Sequence, residues 1–161
     1  MLPSGLDIAV QERRAFMRLK VPDRKEIFVI DDEGGVLGEA REDLELPLFS
    51  DLRSEARGLA ANGRYADWQV RVAVFGIRRI LEAEAPFRGL KVREIQVHAK
   101  HNIHVQLENG LEIRVGKDYK EDLKKLRLVA PVMEGDVEEL EYIDLRFRDV
   151  VAGKKEGKKR L

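Results

Sequence analysis

Three histidines lie close together in the chain and are the first residues whose type and spacing suggest chemistry: His98, His101 and His104. Neutral imidazole is a common zinc ligand. The strand pattern around them places His98 and His104 on a polar face, where a hairpin would bring them together, and places His101 in the connecting turn. The chain has no cysteine to complete a tetrahedral site. We therefore predict no metal and no cofactor, and keep a metal-binding protein or enzyme that uses these histidines as an alternative.

A run of carboxylates at Asp31, Asp32 and Glu33, followed by Gly34 and Gly35, is the next candidate. It lacks the ligand spacing and the closing glutamate of a calcium-binding loop, and a polar run that ends in glycine is typical of a hairpin turn. The sequence also has no Walker-type phosphate loop and no G-x-S-x-G nucleophile elbow. Because no set of residues forms a catalytic pattern, we predict that the protein is not an enzyme.

Composition narrows the class of protein further. Lysine plus arginine total 30 and aspartate plus glutamate total 30, so the net charge is zero and gives no reason to expect nucleic-acid binding. The absence of cysteine excludes disulfides and thiolate metal sites. No apolar run approaches the roughly 20 residues that span a bilayer. If Met1 is the natural start, these features favour a cytoplasmic adaptor.

Two helices are predicted from apolar residues that recur at helical spacing. Asp67 is a candidate N-cap for a helix over 68–84, and Asp118 is one for a second helix that ends near Pro131. Their apolar stripes consist of Val70, Val74, Ile77 and Leu81 in the first helix and Leu123, Leu126 and Ala130 in the second. The opposite face of the first helix is predicted to be solvated and carries three arginines: Arg71, Arg78 and Arg79.

Short alternating segments predict the strands of a mainly antiparallel sheet. These segments cover 6–10, 15–19, 26–30, 36–37, 95–99, 103–107, 111–115, 140–148 and 150–152. Asn109-Gly110 favours a hairpin with a type I′ turn, which needs positive φ at both residues. Pro47 is expected to keep the apolar patch Leu46–Phe49 out of a central ladder. The order of elements predicts an α+β domain in which two principal helices pack against the sheet.

The final strand is predicted to be short, Val150 to Ala152, after a turn at Arg148-Asp149. If this strand lies at the edge of the sheet, its outer N–H and C=O groups have no partner within the domain. Such an edge either remains exposed or receives a strand from another protein. The residues alone leave both possibilities open.

Five segments, in order along the chain, resemble conserved motifs of the FtsQ/DivIB family of bacterial cell-division proteins. Residues 6–15 resemble the family's junction motif, with alanine at the usual proline position. Residues 28–37 are similar to its first strand and turn, and Leu46-Pro47 matches its leucine–proline element. Residues 103–116 are similar to its Asn-Gly hairpin, and 142–147 to its closing Tyr-Val-Asp-Leu-Arg-Tyr motif. Together these segments extend over nearly the whole chain.

The resemblance implies a fold and a place in a longer protein. Family members are expected to have a short cytoplasmic tail, one membrane helix, a small POTRA domain and a β domain. Residues 1–14 would then be the last POTRA strand and its junction, 15–153 the FtsQ-type β domain, and 154–161 a disordered basic tail. We expect this domain to lie on the periplasmic side of the inner membrane, anchored by a single helix that precedes it, so that Met1 is not the natural start.

The resemblance also implies a non-catalytic scaffold role in septum formation. Family members hold a complex with FtsB-like and FtsL-like division proteins, and the FtsB contact is made largely by strand addition at the C-terminal end of the β domain. Carried over by motif position, the partner-binding residues are Arg146, Phe147, Val150, Val151, Ala152 and Gly153. Arg146 would pair with a partner carboxylate, Phe147 would be an apolar anchor, and the strand backbone would set the register.

Overall fold

The computed structural model describes residues 12–22, 24–41, 43–54, 58–60, 62–83, 91–129 and 139–155. The predicted strand over 6–10, Ala130 and the tail from residue 156 onward lie outside these ranges. Neither of the two helices within the ranges has the length and apolarity needed to cross a membrane.

The described residues form nine strands and two helices. The strands are β1 (Ala15–Lys20), β2 (Phe28–Asp31), β3 (Val36–Glu39), β4 (Leu48–Asp51), β5 (Val92–Ala99), β6 (Asn102–Leu107), β7 (Glu112–Val115), β8 (Leu140–Asp144) and β9 (Val151–Lys154). The helices are α1 (Trp68–Ala83) and α2 (Tyr119–Val129). All strands belong to one sheet, in the order β3-β2-β1-β4-β5-β6-β7-β8-β9. Most neighbouring pairs are antiparallel, which confirms the predicted α+β class.

Both helices cover the same face of the sheet and contact each other. Each helix connects two parallel neighbours, β4 to β5 for α1 and β7 to β8 for α2. The covered face includes a row of buried apolar side chains across the central strands: Leu19, Phe49, Ile95, Val105, Ile113 and Ile143. The adjacent row on the opposite face is polar: Ser50, Gln96, His104, Arg114 and Asp144. The period-two alternation of the strands thus separates core from polar surface.

The prediction for Pro47 is wrong, because Leu48–Asp51 forms β4 in the middle of the sheet. A proline is excluded from a central strand only where its missing N–H would break a ladder bond. Pro47 stands one residue before the strand, and its carbonyl accepts a hydrogen bond from the Arg18 amide at 2.9 Å. Phe49, two residues later, is completely buried.

The hairpin at Asn109-Gly110 is confirmed, but its turn is not type I′. Gly110 has a φ of +86°, whereas no described residue other than glycine has a positive φ, so Asn109 has a negative one. The Leu107 amide donates to the Leu111 carbonyl, and the Gly110 amide donates to the Leu107 carbonyl at 3.0 Å. The loop is therefore one residue longer than predicted, a type I turn followed by a left-handed glycine.

Both predicted helix caps are confirmed. Asp67 accepts hydrogen bonds from the amides of Gln69 and Val70, each at 3.1 Å. Asp118 accepts one from the Glu121 amide at 3.2 Å. These carboxylates satisfy amides that have no partner within the first helical turn.

The arginines of α1 are not all solvated, contrary to the prediction. The Arg78 side chain is only 13% exposed. Its guanidinium lies 4.2 Å from the centre of the Phe16 ring and donates to the Phe16 carbonyl. Arg71 donates to the carbonyl of Glu33 in the turn between β2 and β3. Two arginines of α1 therefore anchor the first strands of the sheet to the helix.

A buried ionic cluster joins the end of β4 to the start of α1. Arg53 donates two hydrogen bonds to Asp51, both at 2.8 Å, one to Asp67 at 2.9 Å and one to the Tyr65 hydroxyl at 3.0 Å. Tyr65 in turn donates to Asp51. The hydrogen bonds to Asp51 raise the pKa of Arg53, and burial raises the pKa of Tyr65. The same arginine thus neutralises a buried carboxylate and holds the N-cap of α1.

Candidate partner-binding edge

β9 is an edge strand of the sheet. The direction of each of its backbone N–H and C=O groups determines whether that group binds β8 or points away from it. The Lys155 amide donates to the Glu139 carbonyl at 2.8 Å, so it points toward the β8 side. N–H groups alternate in direction along a strand. The N–H of Gly153 therefore also points toward β8, and the N–H and C=O of Ala152 point away from it. In the part of the chain that the structure describes, no strand lies beyond β9 to bind these two groups.

The last strand extends further than predicted. It covers Val151–Lys154 instead of 150–152, so Lys154, which the sequence assigned to the basic tail, is its final residue. Val150 precedes the strand and packs against the hydrophobic core. Two large apolar side chains of the described residues are exposed at this edge, Phe147 at 57% and Val151 at 43%.

Gly153 is required by the close approach of Tyr142 on β8. A Cβ atom at this position would overlap the Tyr142 ring. The guanidinium of Arg114 on β7 lies 4.3 Å from the centre of the same ring. A cation over a tyrosine face is worth about 0.5–1 kcal/mol at exposed sites. This contact links the last three strands on the polar face of the sheet.

Arg146 lies two residues after the end of β8, and its side chain is hydrogen-bonded within the domain. Its Nε and Nη2 donate to Asp144 at 2.9 and 2.5 Å, and its Nη1 donates to Asn102 at 2.7 Å. The hydrogen bonds from Arg146 hold the pKa of Asp144 below its ordinary range. Those to Asp144 raise the pKa of Arg146. Arg146 was predicted to pair with a partner carboxylate, but its bidentate partner in this structure is a carboxylate of its own domain.

Residues 146–149 form the turn between β8 and β9, and Lys125 of α2 binds this turn from the helix-covered side of the sheet. Its Nζ donates to the carbonyls of Leu145 and Phe147, both at 2.9 Å, and to Asp122 at 2.8 Å. Asp122 is 6% exposed and also accepts the Gly116 amide at 2.8 Å. A lysine ammonium has three N–H donors, so these three acceptors use all of them.

The predicted histidine cluster is only partly assembled. The rings of His98 and His104 lie 4.5 Å apart on the polar face, as the strand pattern predicted, whereas His101 is exposed in the turn. Burial lowers the pKa of His104, and Glu112, 3.5 Å from its Nδ1, acts in the opposite direction. Among the described residues, no group of three or more histidine, aspartate or glutamate side chains could hold a metal ion.

The six residues predicted for partner binding do lie together, but their environments differ. Phe147, Val151 and Ala152 are exposed, Gly153 is partly covered by Tyr142, Val150 faces the core, and Arg146 is tied to Asp144. Tyr142, which covers Gly153, belongs to the closing motif that the sequence already indicated. Three other residues that hold this edge in place were not predicted from the sequence: Asn102, Arg114 and Lys125. They lie on β6, β7 and α2, so their proximity to the edge depends on the fold and has no local signal in the sequence.

The family model described as cell division protein FtsQ/DivIB, C-terminal, matches residues 21–146, which is most of the chain. The chain belongs to the FtsQ/DivIB family. No individual curated protein matches it significantly. FtsQ/DivIB proteins are non-enzymatic and generally membrane-anchored, and they act in cell division. The role of this FtsQ/DivIB domain is therefore in division, and the matched region ends at Arg146, the first residue of the turn before β9.

Proposed function

We propose that this domain is a non-catalytic scaffold of the division machinery that binds FtsB-like and FtsL-like proteins on the extracytoplasmic side of the membrane. The FtsB-like protein adds a strand to the outer edge of β9. The observation that carries this proposal is the direction of the Ala152 backbone. Its N–H and C=O point away from β8, in the direction in which a further strand would pair, and two exposed large apolar side chains, Phe147 and Val151, lie beside them.

Strand addition fits the chemistry of this edge. Main-chain hydrogen bonds to an edge strand provide affinity and register with little dependence on side chains. Large hydrophobic side chains next to the edge provide specific anchors, and aromatic residues are frequent among the anchors that dominate binding energy. Phe147 and Val151 are well placed for this role because both remain more than two-fifths exposed.

Within the part of the chain that the structure describes, the β9 edge also lacks the usual protection against pairing. Proteins usually guard an exposed edge with proline, inward-pointing charge or a covering segment. The first three residues of β9, Val151 to Gly153, carry no charge. The charged residue of this strand is Lys154, at its end, and its ammonium pairs with Glu139 at 3.2 Å. The opposite edge, β3, is partly covered, because the Val36 amide donates to the Gly63 carbonyl at 2.8 Å. Of the two ends of the sheet, β9 is therefore the better receptor for a strand.

Arg146 has a different role in this proposal from the one predicted for it. Three of the five N–H donors of a guanidinium are used by Asp144 and Asn102. Arg146 therefore fixes the start of the turn, and the apolar side chain of Phe147 is the main anchor for the partner.

Replacing Phe147 by alanine is expected to weaken binding of the matching FtsB-type extracytoplasmic segment by about tenfold or more, the usual effect of truncating a buried aromatic anchor. Isothermal titration calorimetry on the folded domain measures this change. Leu37→Ala is the matched control, because Leu37 is also exposed but lies on β3 at the other end of the sheet. Equal effects of the two substitutions would contradict the proposed site.

A further inference from the structure

We propose that Lys125 is a positioning residue for partner binding: it holds the turn between β8 and β9 in the conformation that presents Phe147. This inference rests on the proposed function at the β9 edge. Lys125 belongs to α2, which covers the other face of the sheet, and no motif of the sequence connects it to the turn.

All three N–H donors of the Lys125 ammonium have acceptors, and two of these acceptors lie at the turn. Its three donors go to Asp122, to the Leu145 carbonyl and to the Phe147 carbonyl, all between 2.8 and 2.9 Å. Two of the three acceptors are main-chain atoms that flank Arg146. Hydrogen bonds with a charged donor are shorter and stronger than neutral ones. The ammonium therefore fixes the backbone on both sides of Arg146.

Lys125 is itself held in place by Asp122. Asp122 is one helical turn earlier on α2 and is almost fully buried, and it also accepts the amide of Gly116 at the end of β7. A Cβ atom at Gly116 would lie 3.2 Å from the Asp122 carboxylate and 3.3 Å from the Arg146 side chain. Asp122 thus connects the end of β7, the ammonium of Lys125 and the turn.

The turn itself does not belong to a strand ladder. Residues 146–149 form a bend between β8 and β9, and Phe147 projects from it with 57% of its surface exposed. On the polar face of the sheet, the Arg146 side chain ties the turn to Asp144. On the face that the helices cover, Lys125 binds the turn through the Leu145 and Phe147 carbonyls. Without the ammonium, the carbonyl of Phe147 loses this hydrogen bond, and the side chain that anchors the partner is free to move away.

The chain offers a matched control in the adjacent residue. Lys124 also lies on α2 and pairs three residues back, with Glu121 at 2.5 Å, but both of these side chains are about 60% exposed. Methionine approximates the length of lysine and is an equally good helix former. Lys125→Met and Lys124→Met therefore remove one charge each from the same helix, and only the first removes contacts to the turn.

The test combines binding of the FtsB-type segment with amide hydrogen exchange in the free domain, both at a temperature where every variant is folded. Lys125→Met is expected to weaken binding by about tenfold and to accelerate exchange over residues 145–149. Lys124→Met is expected to change neither by more than about twofold. Lys125→Arg should restore part of the binding, because it keeps the charge and several donors.

A double-mutant cycle separates positioning from a general loss of structure. If Lys125 acts through Phe147, Lys125→Met has little further effect in the Phe147→Ala background. Equal losses in the two backgrounds, or exchange and binding identical to those of Lys124→Met, would overturn the inference. If Phe147→Ala alone leaves binding unchanged, the proposed function fails, and faster exchange at 145–149 in Lys125→Met would still support the positioning of the turn.

Discussion

Arg53→Met is expected to lower the free energy of unfolding by about 3–5 kcal/mol, the usual cost of removing one partner of a buried ion pair. The side chain of Asp51 is fully buried and that of Arg53 is 5% exposed. Among the described side chains, the Asp51 carboxylate would then keep only the Tyr65 hydroxyl as a donor. Asp67 would lose its ion pair with Arg53, which follows β4 by two residues. Urea denaturation followed by circular dichroism measures the change.

Arg41→Met is the control for this prediction. Arg41 pairs with Asp43 at 3.2 Å, but the two side chains are 84% and 71% exposed. Exposed pairs contribute between 0 and about 1 kcal/mol, so this variant should unfold almost like the parent. A loss for Arg53→Met as small as that for Arg41→Met would contradict the conclusion that the cluster at the start of α1 is a major source of stability.

Ala152→Pro is expected to reduce binding of the FtsB-type segment by about a hundredfold or more while leaving the domain folded. Proline removes the outward N–H that a partner strand needs, and it places a ring where that strand would lie. An edge strand tolerates proline where its N–H faces solvent, and the N–H of Ala152 points away from β8. Calorimetric titration and urea denaturation of the same variant separate the two effects.

Val151→Pro is the informative comparison, because it removes an N–H group that points toward β8 instead of one that points away from it. Val151 lies opposite Asp144, and its N–H points toward β8 by the alternation that directs Ala152 outward. This variant should lose stability as well as binding. If Ala152→Pro binds as tightly as the parent domain, the partner does not pair with the outer edge of β9.

Local signals in the sequence were sufficient for the helices and much of the sheet. Asp67 and Asp118 precede apolar residues at helical spacing, and both do cap helices. Alternation in β6 and β7 identified the hairpin and its buried face. These features depend on neighbours along the chain, so propensity, capping and periodicity carry the information.

Features that depend on distant residues were missed or misjudged. Pro47 stands one residue before β4, so its missing N–H does not interrupt that central strand, and the sequence does not mark where a ladder begins. The turn at Asn109 differs from the prediction because its loop takes one residue more. The clamp of Lys125 on the turn joins residues 20 and 22 positions apart in the chain, on a helix and a turn that meet only in the folded domain.

Pairing of a partner strand with the outer edge of β9 would change the hydrogen-exchange rate of the Ala152 amide, so this rate is the measurement that decides whether strand addition occurs there. In the free domain this N–H has no strand partner among the described residues, so it should exchange rapidly with solvent. On addition of saturating FtsB-type segment, we predict strong protection of this amide by a new main-chain hydrogen bond. Rapid exchange at Ala152 while the segment is fully bound would contradict strand addition at this edge.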